Sequence, residues 1–121
     1  MSATTHYAEI PPFITKDGSE IRELMHPQAH GNQQQRLAEA RVPPGGETLL
    51  HRHRHAEELY HITAGRGLMT LAERTFEVAA GDTVHIPPRT AHRIRNIGDD
   101  TLCLLCCCAP PYRHEDTELL D

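Results

Sequence analysis

Apolar and polar residues alternate with a period of two over short stretches of this chain, and clusters of Gly, Pro, Asn and Asp separate the stretches. A period of two puts successive side chains on opposite faces of an extended strand. Ser19–Met25 sets Ile21 and Glu23 against Arg22 and Leu24 and reads as an edge strand, and residues 26–35 read as a loop. From 35 to 42, Leu37, Glu39 and Arg41 stand opposite Arg36, Ala38, Ala40 and Val42, a pattern that fits a strand or a short helix. Pro43-Pro44-Gly45-Gly46 is a turn into an extended His51–His53, and Glu58–Thr63 is a strand with Glu58, Tyr60 and Ile62 on one face. The runs Leu68–Leu71 and Thr75–Val78 form a hairpin around Ala72-Glu73-Arg74. Val84 and Ile86 alternate in a strand ended by Pro87-Pro88, His92, Ile94 and Asn96 alternate in the next, and Gly98-Asp99-Asp100 turns the chain into Thr101–Cys108. Many short strands and no long amphipathic helix predict an all-β barrel or sandwich.

A length of 121 residues suits one domain. Residues 1–18 are a polar arm broken by Pro11-Pro12, with order expected from a partner surface; residues 19–109 hold the barrel, and 110–121 form an acidic tail. The net charge is −5, and Lys16 is the one lysine beside eleven arginines, so no basic face points to nucleic acid. No apolar run approaches a membrane span and no signal-like segment opens the chain. Cys106, Cys107 and Cys108 are consecutive on the closing strand, where neighbours face opposite ways, so with Cys103 they make no disulfide framework. These features predict a soluble protein of a reducing, cytoplasmic compartment. Cys106 and Cys108 share a face and read as small buried hydrophobes.

Ten histidines change the picture, because six of them fall between positions 51 and 92. His51 and His53 project from one strand face about 7 Å apart, near enough for both imidazoles to reach one cation. Glu58 is placed to supply a third ligand and His92 a fourth, giving three imidazoles and one carboxylate. That set suits divalent iron, manganese, nickel, cobalt or zinc. Glu57 competes with Glu58 but shares its face with Leu59 and His61, and His55 is an alternative ligand or lid residue. His61 and His85 are off the parity of the ligand set and read as structural or surface residues.

The same residues carry a family resemblance. Gly45, His51, His53, Glu58 and Gly65 match the first cupin motif, G-x5-H-x-H-x(3,4)-E-x6-G, and Gly81, Pro87, His92 and Asn96 match the second, G-x5-P-x-G-x2-H-x3-N. Arg89 replaces the second glycine of the latter, which touches turn geometry more than ligand spacing. The chain resembles germins and the short single-domain bacterial cupins. The resemblance implies a double-stranded β-helix (jelly-roll) barrel with N- and C-terminal arms, a divalent metal near one mouth and a homodimer.

Three functions are expected in descending order. The first is a metal-dependent dioxygenase acting on a metal-chelating phenolic or diketone-like small molecule. The second is a redox-neutral isomerase, lyase or cyclase, and the third is non-catalytic ligand binding. In the first, Glu58 is a ligand that accepts a proton and Tyr60 a hydrogen-bond donor. Leu49, Ile62, Met69, Leu71, Val84, Ile86 and Ile94 are expected to wall an apolar cavity. Arg52, Arg54, Arg93 and Arg95, the arginines beside the ligands, point outward by parity, which tilts the expected substrate toward an apolar or aromatic one.

Overall fold

The computed structural model describes residues 3–120. Eleven strands follow one another: β1 (Phe13–Ile14), β2 (Glu20–Met25), β3 (Arg36–Val42), β4 (His51–His53), β5 (Glu57–Ala64), β6 (Arg66–Leu71), β7 (Arg74–Ala79), β8 (Thr83–Ile86), β9 (His92–Asn96), β10 (Leu102–Ala109) and β11 (Thr117–Leu119). They form a six-stranded sheet in the order β1-β2-β3-β10-β5-β8 and a five-stranded sheet in the order β11-β4-β9-β6-β7. Every pairing is antiparallel, and the sheets pack face to face in the jelly-roll arrangement.

The alternating pattern of 36–42 resolves as strand β3, because both of its edges are taken up by β2 and β10. Its inward residues are Arg36, Ala38, Ala40 and Val42. Small residues there lie beside larger ones in the transverse rows: Ile21–Ala40–Leu104–Ile62 and Ala38–Cys106–Tyr60–Val84. The five-stranded sheet adds Met69, Val78 and Ile94, and these residues join in one core cluster. Leu49 departs from expectation. It is 47 % exposed, because residues 48–50 precede β4 as irregular chain whose parity does not follow the strand; its N–H instead binds the Asp17 carbonyl at 2.7 Å.

Both terminal segments add strands. β1 pairs with β2 within the same chain, and β11 pairs with β4, placing Thr117 opposite His53 and Leu119 opposite His51. The β6–β7 hairpin closes tightly, with Leu71 opposite Arg74 and Ala72 at φ 55°. Gly65, at φ 87°, turns β5 into β6, where a Cβ would stand 3.0 Å from Leu102 Cα and from the Thr101 carbonyl. Arg89, where the second motif has glycine, adopts φ 64°. Its N–H binds the His53 carbonyl at 2.7 Å, so this strained turn is tied to the strand carrying two imidazoles. No helix among the described residues is long and apolar enough to cross a membrane.

Candidate metal centre

Strand pairing assembles the site from both sheets. His51 and His92 are direct partners across β4 and β9, His53 is two residues along on the same face, and Glu58 faces them from β5 of the opposite sheet. All four are buried, between 0 and 4 % exposed. One ring nitrogen from each of His51, His53 and His92 lies within 4.8 Å of the others, the spacing of groups able to hold one ion. The nearer Glu58 oxygen, Oε1, is 3.2 Å from His53 Nε2 and 3.6 Å from His92 Nε2.

The opposite ring nitrogens fix the tautomers. His51 Nδ1 donates to the Leu49 carbonyl at 2.7 Å and His92 Nδ1 to the Thr90 carbonyl at 2.8 Å. His53 Nδ1 lies 3.0 Å from Thr117 Oγ1, whose own proton goes to the Arg113 carbonyl at 3.1 Å, so the hydroxyl accepts from the imidazole. With three Nδ1–H groups committed, Nε2 is the ring nitrogen that each imidazole turns inward, the arrangement usual for metal-bound histidines. His92 Nε2 is buried and has no hydrogen-bond partner. A buried lone pair with no donor is costly, and a cation relieves it.

Titration follows from this crowding. Burial, with the neighbouring His92, holds the His51 imidazole down at about 4. Burial pushes the Glu58 carboxyl up, but the His53 and His92 imidazoles beside it outweigh burial and hold the group well below the usual carboxylate range. A cation held among the imidazoles would stabilise the same carboxylate. Burial, then the Glu58 charge, drives the Tyr60 phenol well above its ordinary value, so it stays protonated.

A buried arginine works against the apolar substrate that the outward-pointing arginines suggest. Arg52, Arg54, Arg93 and Arg95 do sit outside the core, but Arg36 lines the cavity with its side chain only 3 % exposed. It pairs with Glu23 through Nε and Nη2, its guanidinium carbon lies 4.8 Å from the Tyr112 ring centre, and Nη1 is 3.9 Å from Glu58 Oε2. Register explains the last contact: Arg36, Cys108 and Glu58 form one row across β3, β10 and β5, and the small thiol leaves room for the long side chains above it. The signal was present in the sequence as an arginine sharing parity with Ala38, Ala40 and Val42.

The remaining candidates fall into place around this centre. Glu57 is on the outer face, 2.9 Å from His85 Nε2, and His61 Nδ1 meets Thr83 Oγ1 at 2.8 Å, also outside. His55 is exposed and bound to Asp116. Tyr60 lines the cavity with its ring centre 5.9 Å from that of His92. Of the expected apolar wall only Ile94 lines it, beside Ile21, Ala40, Val42, Leu104 and Cys106; Ile62, Met69, Val84 and Ile86 pack in the core. Tyr112, Thr117 and Asp17 were not anticipated. His26 Nε2 holds the Tyr112 carbonyl at 2.9 Å and so fixes the terminal segment beside the cavity. The cavity is small, about 20 Å³, room for little more than one water.

Comparison with known proteins agrees with this architecture. A family model described as Cupin domain matches residues 38–108. The chain is 58 % identical over 117 residues to a protein of uncharacterised function from Methanocaldococcus jannaschii, covering 97 % of this chain and 94 % of that one. It is similar to the crystal structure of a predicted oxalate decarboxylase from Thermotoga maritima, with a TM-score of 0.77 and 26 % identity over 88 % of this chain and 98 % of that one. The polyketide cyclase RemF from Streptomyces resistomycificus shares the fold, with a TM-score of 0.84 at 21 % identity over 100 % of this chain and 87 % of that one. A motif pair read from 45 to 96, a two-sheet barrel around it and a family match across more than half the chain lead to one conclusion: the protein belongs to the cupin domain family.

Proposed function

We propose that this chain is a metal-dependent cupin acting on a small molecule that carries adjacent oxygen atoms, at least one of them anionic. The observation that carries the reading is the convergence of three imidazole Nε2 atoms, one of them buried without a partner, beside the Glu58 carboxylate. These donors fit a divalent transition metal, iron, manganese, nickel, cobalt or zinc, held by His51, His53, Glu58 and His92. When bound, such an ion supplies Lewis acidity and, if redox-active, electrons for dioxygen chemistry.

The chain's own residues then select the substrate. Arg36 is the cationic side chain among the lining residues, and its Nη1 is oriented toward Glu58 with no short bond between them. A planar guanidinium there suits a carboxylate or enolate oxygen. Tyr60, kept protonated by burial, serves as a hydrogen-bond donor to the bound substrate, and Glu58 stays ionised beside it. A redox-neutral reaction, isomerase, lyase or cyclase, therefore stands first. The dioxygenase is the second reading, favoured by the apolar wall of Ile21, Ile94 and Leu104, which keeps water from a reactive centre.

The test is a panel of small hydroxy acids, keto acids and dicarboxylates beside phenolics and diketones, with product analysis and an oxygen electrode. The reading expects conversion of an acid without oxygen uptake. Uptake matching the loss of a phenolic or diketone moves the assignment to the dioxygenase, and saturable binding without turnover moves it to a binding protein.

The same proposal includes a homodimer in the cytoplasm. Leu37, Cys107 and Leu59 form one row across the outer face of β3, β10 and β5, with the two leucines 38 and 43 % exposed. A second copy would cover this row. The four cysteines are free thiols, as a reducing compartment keeps them. Light scattering at micromolar concentration should give about twice 13.6 kDa; a monomer mass refutes the dimer.

A further inference from the structure

We propose that Asp17, delivered from the N-terminal segment and outside both motifs, is a second carboxylate ligand of the metal. This rests on the reading that the site holds an ion. Asp17 lines the same cavity as His51, His53 and Glu58, and its Oδ2 lies 3.5 Å from His51 Nε2. Two ligands about 2.1 Å from one ion stand roughly 3.0 Å apart in an octahedral site and 3.4 Å in a tetrahedral one. The His51–Asp17 separation therefore matches those of His53–Glu58 and His92–Glu58, 3.2 and 3.6 Å.

The carboxylate is also built in. Its Oδ1 accepts from Thr15 Oγ1 at 2.7 Å, from the Ser19 N–H at 2.9 Å and from Ser19 Oγ at 2.6 Å. Three donors on Oδ1 hold the group in one rotamer and aim Oδ2 at the imidazole. His51 Nδ1–H is already given to the Leu49 carbonyl, so Nε2 is the ring nitrogen that meets Asp17. On the same cluster, His92 Nε2 is buried with no hydrogen-bond partner. The backbone repeats the coupling, since the Asp17 carbonyl accepts the Leu49 N–H at 2.7 Å, tying the segment to the chain entering β4.

Two carboxylates would neutralise a divalent ion, and they approach it from different imidazoles, Glu58 beside His53 and His92, Asp17 beside His51. Such a centre prefers the harder ions, manganese and iron, over a tetrahedral zinc site.

Cobalt(II) is the probe. Wild type, Asp17→Asn and Asp17→Ala are loaded with it, and stoichiometry, affinity against a competing chelator and the visible spectrum are recorded. Ser19→Ala, which keeps the carboxylate but removes one of its donors, is the control. The proposal expects weak bands of five or six ligands in wild type. Both Asp17 variants should lose at least about 10-fold in affinity and shift spectrally, and Ser19→Ala should change far less. Affinity within twofold and an unchanged spectrum in the Asp17 variants overturn it. So does an intense tetrahedral spectrum in wild type, a readout that needs no variant to fold. A wild type that binds no cobalt, manganese or zinc removes the metal reading as well, whereas unaffected Asp17 variants remove this inference alone.

Discussion

Arg36→Met isolates the buried cation that the cavity is built around. The guanidinium is 3 % exposed, its partner Glu23 19 % and the neighbouring Glu58 4 %. Burial works against the charge, but the hydrogen bond and charge of Glu23 outweigh it and raise the Arg36 pKa. Breaking a buried ion pair by removing one partner costs about 3–5 kcal/mol, because the other charge is left uncompensated. Glu23 retains some access to water, which lowers the figure, and the lost stacking on Tyr112 restores about 0.5–2 kcal/mol. The expected net loss is about 2–4 kcal/mol. In Arg36→Met/Glu23→Met both charges leave together, so the ion-pair part of that loss should be recovered, with about 1–2 kcal/mol remaining from the lost stacking on Tyr112 and the isolated Glu58. The assay is urea unfolding of chelator-treated protein at one protomer concentration, reading midpoints at constant slope. A single variant within about 0.5 kcal/mol of wild type, or a double variant no more stable than the single, would refute the pairing.

Two further outcomes are expected. Thr117→Val removes the acceptor for His53 Nδ1 and should weaken metal binding about 10–100-fold, with the circular dichroism spectrum unchanged; Thr117→Ser should restore it. Metal-free protein should lose stability in acid. His51 has a folded pKa of about 4 against 6.5 ordinarily, so its contribution of about 3 kcal/mol is complete above 6.5 and disappears as pH falls to 4. The depressed Glu58 acts in the same direction lower down. Urea midpoints that stay flat or rise between pH 7 and pH 4 contradict this.

The sequence made local geometry legible and left long-range assembly hidden. Parity brought His51 and His53 to one face and separated Glu58 from Glu57, because a strand's period of two needs no partner to be read. Glycine at 65 and the proline turns marked strand ends for the same reason. Asp17, Tyr112 and Thr117 gave no such signal. Each reaches the site through pairing between distant segments, β11 on β4 and the Asp17–Leu49 backbone bond. Arg36 was visible as a charge on an apolar face, but only the β3–β10–β5 register shows that this face meets Glu58. Leu49, expected in the apolar wall, is exposed instead because it lies in irregular chain before β4.

The account stands most directly on the metal content of the purified protein. Elemental analysis of wild type and His92→Ala, both purified without added metal and again after reconstitution with manganese, iron or zinc, should give one ion per chain in wild type. His92→Ala should hold none while keeping its strand-type circular dichroism. A wild type that takes up no ion on reconstitution, or a His92→Ala protein that still carries one per chain, would contradict the assignment of this cluster as a metal centre.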